Sequence, residues 1–202
     1  VEDAAHSFGT VYNGTRVGGI GDVVCFSFDG IKNITSGEGG CIVTNDPKVL
    51  EKIRNARQLG VEKDSERRFS GSRSWDPNVT AQGWRYHMSD IMAAIGLVQL
   101  NDFSYHKSSR QLLAKKYVNI LSKEPLIEMF DHDYDHVVPH IFVVKLDKSI
   151  DRSRVIKELE EIGIPTGIHY KPNHQLSYFS IQSTNPLINT DQLFPRLLTL
   201  PL

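Results

Sequence analysis

Between Val11 and Thr44 the chain alternates short apolar runs with glycine-rich turns: Val11-Tyr12-Asn13-Gly14, Val17-Gly18-Gly19-Ile20-Gly21, Val23 to Phe28, and Gly37-Glu38-Gly39-Gly40 ahead of Cys41-Ile42-Val43-Thr44. Glycine tolerates the positive φ that tight turns need, so this stretch reads as short strands joined by turns. The period then changes. Val49, Leu50, Ile53, Ala56 and Leu59 recur at three- and four-residue steps, Asp46 precedes them and Gly60 follows, which predicts an amphipathic helix over 46–59 with Asp46 as its N-cap.

Residues 61–82 are polar and rich in arginine and serine, a long irregular loop of the kind that is usually functional or mobile. Ser89-Asp90 opens a second helix carrying Ile91, Ala94, Ile95, Leu97, Val98 and Leu100, with helical spacing continuing through Leu112, Leu113, Tyr117 and Ile120. Apolar residues surround its first half, which is therefore expected to be buried. After Glu124-Pro125, residues 137–146 read as a strand and 151–162 as a helix with Val155, Ile156 and Leu159 inward. Gly163-Ile164-Pro165 stops that helix and a strand is expected over 166–170. The class is α/β, with a larger unit over 1–105 and a smaller α/β unit over 106–202, incomplete at its end.

Composition narrows the partners. With 202 residues, 40% hydrophobic and 23% charged, the chain is long enough for one large or two small cores. A formal net charge of −1 leaves no excess of cations to follow a nucleic-acid backbone or an anionic membrane. No run reaches the roughly 18 apolar residues of a membrane span. Cys25 and Cys41 each sit inside an apolar run and read as buried thiols; together with a start that lacks signal-peptide character, they suggest a reducing cytoplasm. The opening Val1-Glu2-Asp3 resembles a strand end without the usual polar lead-in, so the chain is expected to be part of a longer polypeptide.

Two segments carry chemistry. Asp3-Ala4-Ala5-His6 places an acid and an imidazole where a strand ends, and ligands of α/β sheets collect at the carboxyl ends of strands. Ser27 to Gly40 places a hydroxyl, then Lys32, then a glycine-rich turn after a strand; hydroxyls and turn amides bind phosphate without a metal. Lys32 has no neighbouring cation, and apolar strands flank it, which favours a partly desolvated, nucleophilic amine over a merely solvated one.

The order of these motifs, Asp3-x-x-His6, Phe26-Ser27-Phe28 and Lys32-Asn33-Ile34-Thr35-x-Gly37-Glu38-Gly39-Gly40, resembles the core signature of the DegT/DnrJ/EryC1/StrS sugar aminotransferases. Gly83-Trp84-Arg85-Tyr86-His87-Met88-Ser89-Asp90-Ile91, Gly163-Ile164 with His169-Tyr170, and Leu198-Thr199-Leu200-Pro201 resemble later segments of the same family, so the resemblance covers essentially the whole chain. It implies the aspartate aminotransferase-like fold of pyridoxal 5'-phosphate (PLP) dependent transferases. Residues 1–105 would be the second half of the PLP-binding large domain and 106–202 the small C-terminal domain.

By that resemblance Lys32 holds PLP covalently and shuttles a proton, while Asp3 pairs with the pyridine nitrogen. His6 lies by the ring and its phenolic oxygen, Ser27 binds the phosphate, and Glu38 holds the amides of its turn. Arg85 and His87 stand where relatives often have Asn and Arg, in a loop that reaches the partner subunit's active site. An arginine fork binds phosphate as well as an amide does. Asp29 stands where many relatives have His, which bears on the sugar pocket. His169 and Tyr170 fall near the sugar-nucleotide site; read from the residues alone, Arg67, Arg68 and Arg73 either face a diphosphate or belong to a solvated loop. The implied activity is transfer of an amino group, with glutamate as donor, to a nucleotide-linked keto-deoxysugar, giving an amino sugar for a surface polysaccharide, O-antigen or antibiotic. A homodimer with shared active sites, formed through residues 83–100, belongs to the same implication, and no metal does. The alternatives are a PLP-dependent sugar dehydratase, whose Schiff-base lysine is replaced by histidine, and a non-catalytic PLP-fold protein.

Overall fold

Strand alternation is plain at Val23–Ser27, where Val24 and Phe26 point inward and are buried while Val23, Cys25 and Ser27 are half-exposed. A computed structural model describes residues 1–62, 70–71, 77–180 and 186–202. They fall into two compact units, Val1–Ser104 and Tyr105–Leu202. In the first, β1 (Glu2–Asp3), β2 (Val11–Tyr12), β3 (Thr15–Arg16), β4 (Val23–Ser27) and β5 (Gly40–Thr44) make up two sheets. β1 runs parallel to β4 with Asp3 opposite Cys25, and β5 runs antiparallel to β4 with Ser27 opposite Gly40. β2 and β3 form a hairpin turned by Asn13 and Gly14 at φ 47° and 76°, the two positive values that a right-twisting two-residue turn demands.

Ala4, Val24 and Phe26 form the core of this unit, with Phe8, Val17, Phe28 and Cys41 packed around them. Phe8 is held edge-to-face by Phe26, Phe28 and Phe103, with ring centroids 5.5, 5.9 and 4.9 Å away. Cys25 and Cys41 are half-exposed rather than buried; Cys25 lies on the face of β4 opposite the buried Val24 and Phe26, and Cys41 is on β5, the edge strand of the described sheet.

Helix α1 (Pro47–Ala56) starts as predicted: Asp46 accepts from the amides of Lys48 and Val49 at 2.8 and 3.4 Å, and Pro47 begins the first turn. It ends at Ala56 instead of Leu59. The carbonyls of Ala56 and Arg57 accept from Trp84 and Tyr86 at 2.7 and 2.9 Å, so a neighbouring segment takes over the pairing that a further turn would supply. Helix α2 (Asp90–Asn101) is capped by Ser89, whose hydroxyl accepts from the Met92 amide at 3.3 Å. The expectation of burial here fails: α2 has no buried residue, and Ile91 and Leu97 are 76% and 62% exposed. An all-round apolar helix needs partners on every side, and the described residues provide them on one side only. The single long helix is also interrupted, because Asp102 leaves the helical region before α3 (Phe103–Leu121) begins.

The second unit closes around β6 (Ile127–Met129), β7 (Phe142–Leu146), α4 (Arg152–Glu161), the short helices α5 (Ser177–Ser180) and α6 (Ile188–Leu193), and β8 (Leu197–Leu200). Its sheet is antiparallel in the order β6-β7-β8. Phe142, Val144, Leu146 and Leu198 are buried with Ala114 and Tyr134, and Val155, Ile156 and Leu159 of α4 pack against them as their spacing predicts. Strand β7 is shorter than the 137–146 expected. The carbonyls of Val137, Pro139 and His140 accept instead from Gln111 and Arg110 of α3 at 3.2, 3.5 and 3.3 Å. No strand forms over 166–170; Gly167 alone exchanges two backbone bonds of 2.9 Å with Thr199. No helix among the described residues is long and apolar enough to cross a membrane.

Candidate active site

Because β1 and β4 run parallel with Asp3 beside Cys25, their carboxyl ends lie side by side, and Asp3, His6 and Ser27 all belong to that edge. After β4 the backbone turns twice before returning as β5. The Asp29 amide donates to the Ser27 hydroxyl at 3.3 Å, and the Lys32 amide donates to the Asp29 carbonyl at 3.1 Å, which closes a turn and brings Lys32 back over the strand end. The Lys32 amine then lies 3.0 Å from Nε2 of His6. Two residues separated by 26 positions thus meet as the first pair of predicted site groups in direct contact. Asp3 is exposed and accepts from the Ala5 amide at 3.0 Å through Oδ1, leaving a carboxylate oxygen for another partner.

The turn beyond Lys32 is held by hydroxyl bonds that sequence reading missed. Ser36 is fully buried and its hydroxyl donates to the Glu38 carbonyl at 2.8 Å; Thr35 donates to the Phe28 carbonyl at 3.2 Å and accepts from the Gly37 amide at 2.9 Å. The hydroxyls of Thr35 and Ser36, not the carboxylate expected at Glu38, make the described bonds of this turn. The signal was available in Thr35-Ser36-Gly37, because short hydroxyl side chains next to glycine bond their own turn backbone. Gly39 is required: at φ 151°, a Cβ there would lie 2.6 Å from both the Ser36 hydroxyl and the Met88 methyl.

Met88 therefore docks the 84–88 segment against the lysine turn. Arg85 is exposed and bridged through its backbone to Gln58, and no described side-chain bond ties it to Lys32 or Ser27. His87 lies elsewhere in the same unit, on a recess of about 880 Å³ that Ile42, Ile53, Trp84 and Met92 also line. That recess includes Glu38, Gly39 and His87 but not Lys32, His6, Asp3 or Ser27, so it lies apart from the Lys32–His6 pair. Burial, and then the neighbouring Cys25, push the Cys41 thiol up, which keeps it a thiol and a poor nucleophile.

In the second unit, His169 lies 3.0 Å from the Thr199 hydroxyl and stacks edge-to-face on Tyr170 at 4.8 Å. Tyr170 lines a separate small recess of about 220 Å³ with Pro172, Asn189 and Phe194. Arg67, Arg68 and Arg73 lie outside the described residues. Among the described residues no group of three or more His, Cys, Asp or Glu side chains could hold a metal ion.

The architecture and the lysine turn together define a class that solved structures also display. PseC of Helicobacter pylori, an aminotransferase involved in the biosynthesis of pseudoaminic acid, is similar over 98% of this chain at 26% identity and a TM-score of 0.87. The sugar aminotransferase CalS13 of Micromonospora echinospora is similar over 99% at 27% identity and 0.83. Spr1654 of Streptococcus pneumoniae, solved in PLP and PMP forms, is similar at 25–26% identity and 0.83. The fold is the aspartate aminotransferase-like α/β fold of these proteins. Residues 1–202 match the DegT/DnrJ/EryC1/StrS aminotransferase family, and the chain belongs to it. It spans about half of each of these relatives, 53% of PseC and 52% of CalS13.

Proposed function

We propose that this chain is the lysine-bearing part of a PLP-dependent aminotransferase that converts a nucleotide-linked keto-deoxysugar to an amino sugar, with glutamate as donor. The observation that carries the reading is the Lys32 amine held against His6 at the carboxyl edge of β1 and β4, inside a turn locked by Thr35 and Ser36. The groups at this edge fit PLP: an amine, an acceptor carboxylate, a hydroxyl and the amides of a glycine turn match its aldehyde, pyridinium, and phosphate in kind.

When bound, PLP would supply an aldehyde and a ring that draws electrons from the bond being broken. Lys32 would hold it and carry a proton between the donor Cα and the cofactor. Asp3, with one oxygen on the Ala5 amide, would keep its other oxygen for the ring nitrogen proton. Ser27 would donate to the phosphate, and His6 would lie beside the ring. Arg85 and His87 would act across a homodimer through residues 83–100, for which the exposed apolar face of α2 is suited. His169 and Tyr170 would contact the sugar nucleotide. The product amino sugar would enter a surface polysaccharide, O-antigen or antibiotic, and the enzyme would work in the cytoplasm.

The test is an absorbance spectrum of the native polypeptide with PLP, before and after borohydride, in wild type and Lys32→Ala. Fixation of PLP on the Lys32 peptide, lost in the variant, is the expected result; a wild type that takes up no PLP rules the reading out.

A further inference from the structure

Resting on that reading, we infer that His6 is the positioning residue of the Lys32 amine, through Nε2, rather than only a neighbour of the cofactor ring. The contact is 3.0 Å, and the two segments that carry it are tied a second time, by the Asn33 amide group donating to the Phe8 carbonyl at 3.5 Å. Both anchors are solid. Asn33 is 5% exposed, and Phe8 sits in its three-ring socket. Behind His6, Ala4 is 1% exposed and bonds Cys25 through its amide at 2.9 Å, and Ser7 bonds back to Ala4 at 2.9 Å. His6 is thus an exposed side chain on a fixed backbone, aimed at the end of a flexible one.

The chemistry requires a defined arrangement. An ammonium has donors only, so facing Lys32 in that form His6 must present the Nε2 lone pair and carry its hydrogen on Nδ1. Once the amine is neutral, it donates one N–H to Nε2 and keeps its own lone pair for the aldehyde carbon. In the capture step a carbon–nitrogen double bond forms, the carbonyl bond breaks, and the oxygen leaves as water with the amine's two hydrogens. Without an acceptor at Nε2, the long lysine side chain regains its rotamers, and capture slows on the order of tenfold.

The geometry makes a specific claim about replacements. A glutamine amide ends where Nε2 lies and can accept there, an asparagine ends near Nδ1 and cannot, and a leucine keeps bulk without an acceptor. In the native polypeptide stripped of cofactor, the rate at which added PLP becomes borohydride-fixed to Lys32 is expected to be similar in wild type and His6→Gln, and about tenfold lower in His6→Asn and His6→Leu. Affinity for pyridoxamine 5'-phosphate, which has no aldehyde and cannot be captured, is expected to fall by much less than the capture rate in His6→Asn and His6→Leu, since only contact with the ring is lost there. Equal capture rates in all four overturn the inference while leaving the aminotransferase reading intact. So does a fall in pyridoxamine phosphate affinity that parallels the capture rate, because His6 then acts on the ring. A wild type that captures no PLP overturns both.

Discussion

In Tyr105–Leu202 the buried side chains of Ala114, Tyr134, Phe142, Val144, Leu146 and Leu198 meet in one cluster, with residues of α3, α4 and the sheet packed around it. In Val1–Ser104 the comparable cluster is Ala4, Val24 and Phe26, while the most apolar helix of the unit, α2, exposes Ile91, Leu97 and Val98. The second unit is organised by apolar burial. The first is organised by turns, in which Ser36, Thr35, Gly39 and Asn33 set the backbone around Lys32. The proposed chemistry belongs with the turns of the first unit, because a turn holds an amine at the surface, whereas a core would bury it without a partner.

The largest effect that could break this comparison comes from the core. Phe142→Ala is expected to destabilise the second unit by about 3–5 kcal/mol, seen as a lower urea midpoint. A loss under about 1 kcal/mol would mean that the cluster is not the organising element. Gly39→Val should reduce PLP capture by Lys32 while leaving the second unit's unfolding unchanged, since a side chain at φ 151° collides with Ser36 and Met88. Ser89→Ala removes the cap of α2 and should cost about 1 kcal/mol in thermal or chemical unfolding of the first unit.

A pH effect sharpens the other side. His174, and then Gln175, bond the Asp191 carboxylate at 2.6 and 2.7 Å and hold it below the usual carboxylate range. A depressed carboxylate contributes stability above its unfolded value, near pH 4, and loses it as the pH falls through the folded value. The urea midpoint of the second unit should therefore drop below about pH 4, and Asp191→Asn should flatten that slope. The smallest expected change is Leu97→Gln in the monomer, within about 0.5 kcal/mol, because the residue is 62% exposed there, whereas the homodimer proposed through residues 83–100 would cover it and raise the cost. A cost above about 2 kcal/mol would show that α2 is covered in solution and that the contrast between the units is incomplete.

Local rules determined a great deal from sequence alone. Asp46 caps α1 as its place predicts, α2 opens at Ser89-Asp90, the helix expected from Asp151 begins beside it, Asn13-Gly14 turns its hairpin, and the inward face of α4 is the one its period predicts. The motif order around Lys32 led to the family, because short-range chemistry such as a turn, a cap or a phosphate loop is written in adjacent residues. Tertiary structure decided whatever depended on a partner distant in the chain. The end of α1 is set by Trp84 and Tyr86, the start of β7 by Arg110 and Gln111, and the exposure of α2 by which surfaces surround it. The Lys32–His6 contact belongs to the same group: each residue could be singled out alone, but the parallel pairing of β1 with β4 brings them within 3.0 Å. A backbone group or an apolar face is satisfied by whichever neighbour reaches it first, and the folded chain settles which one that is.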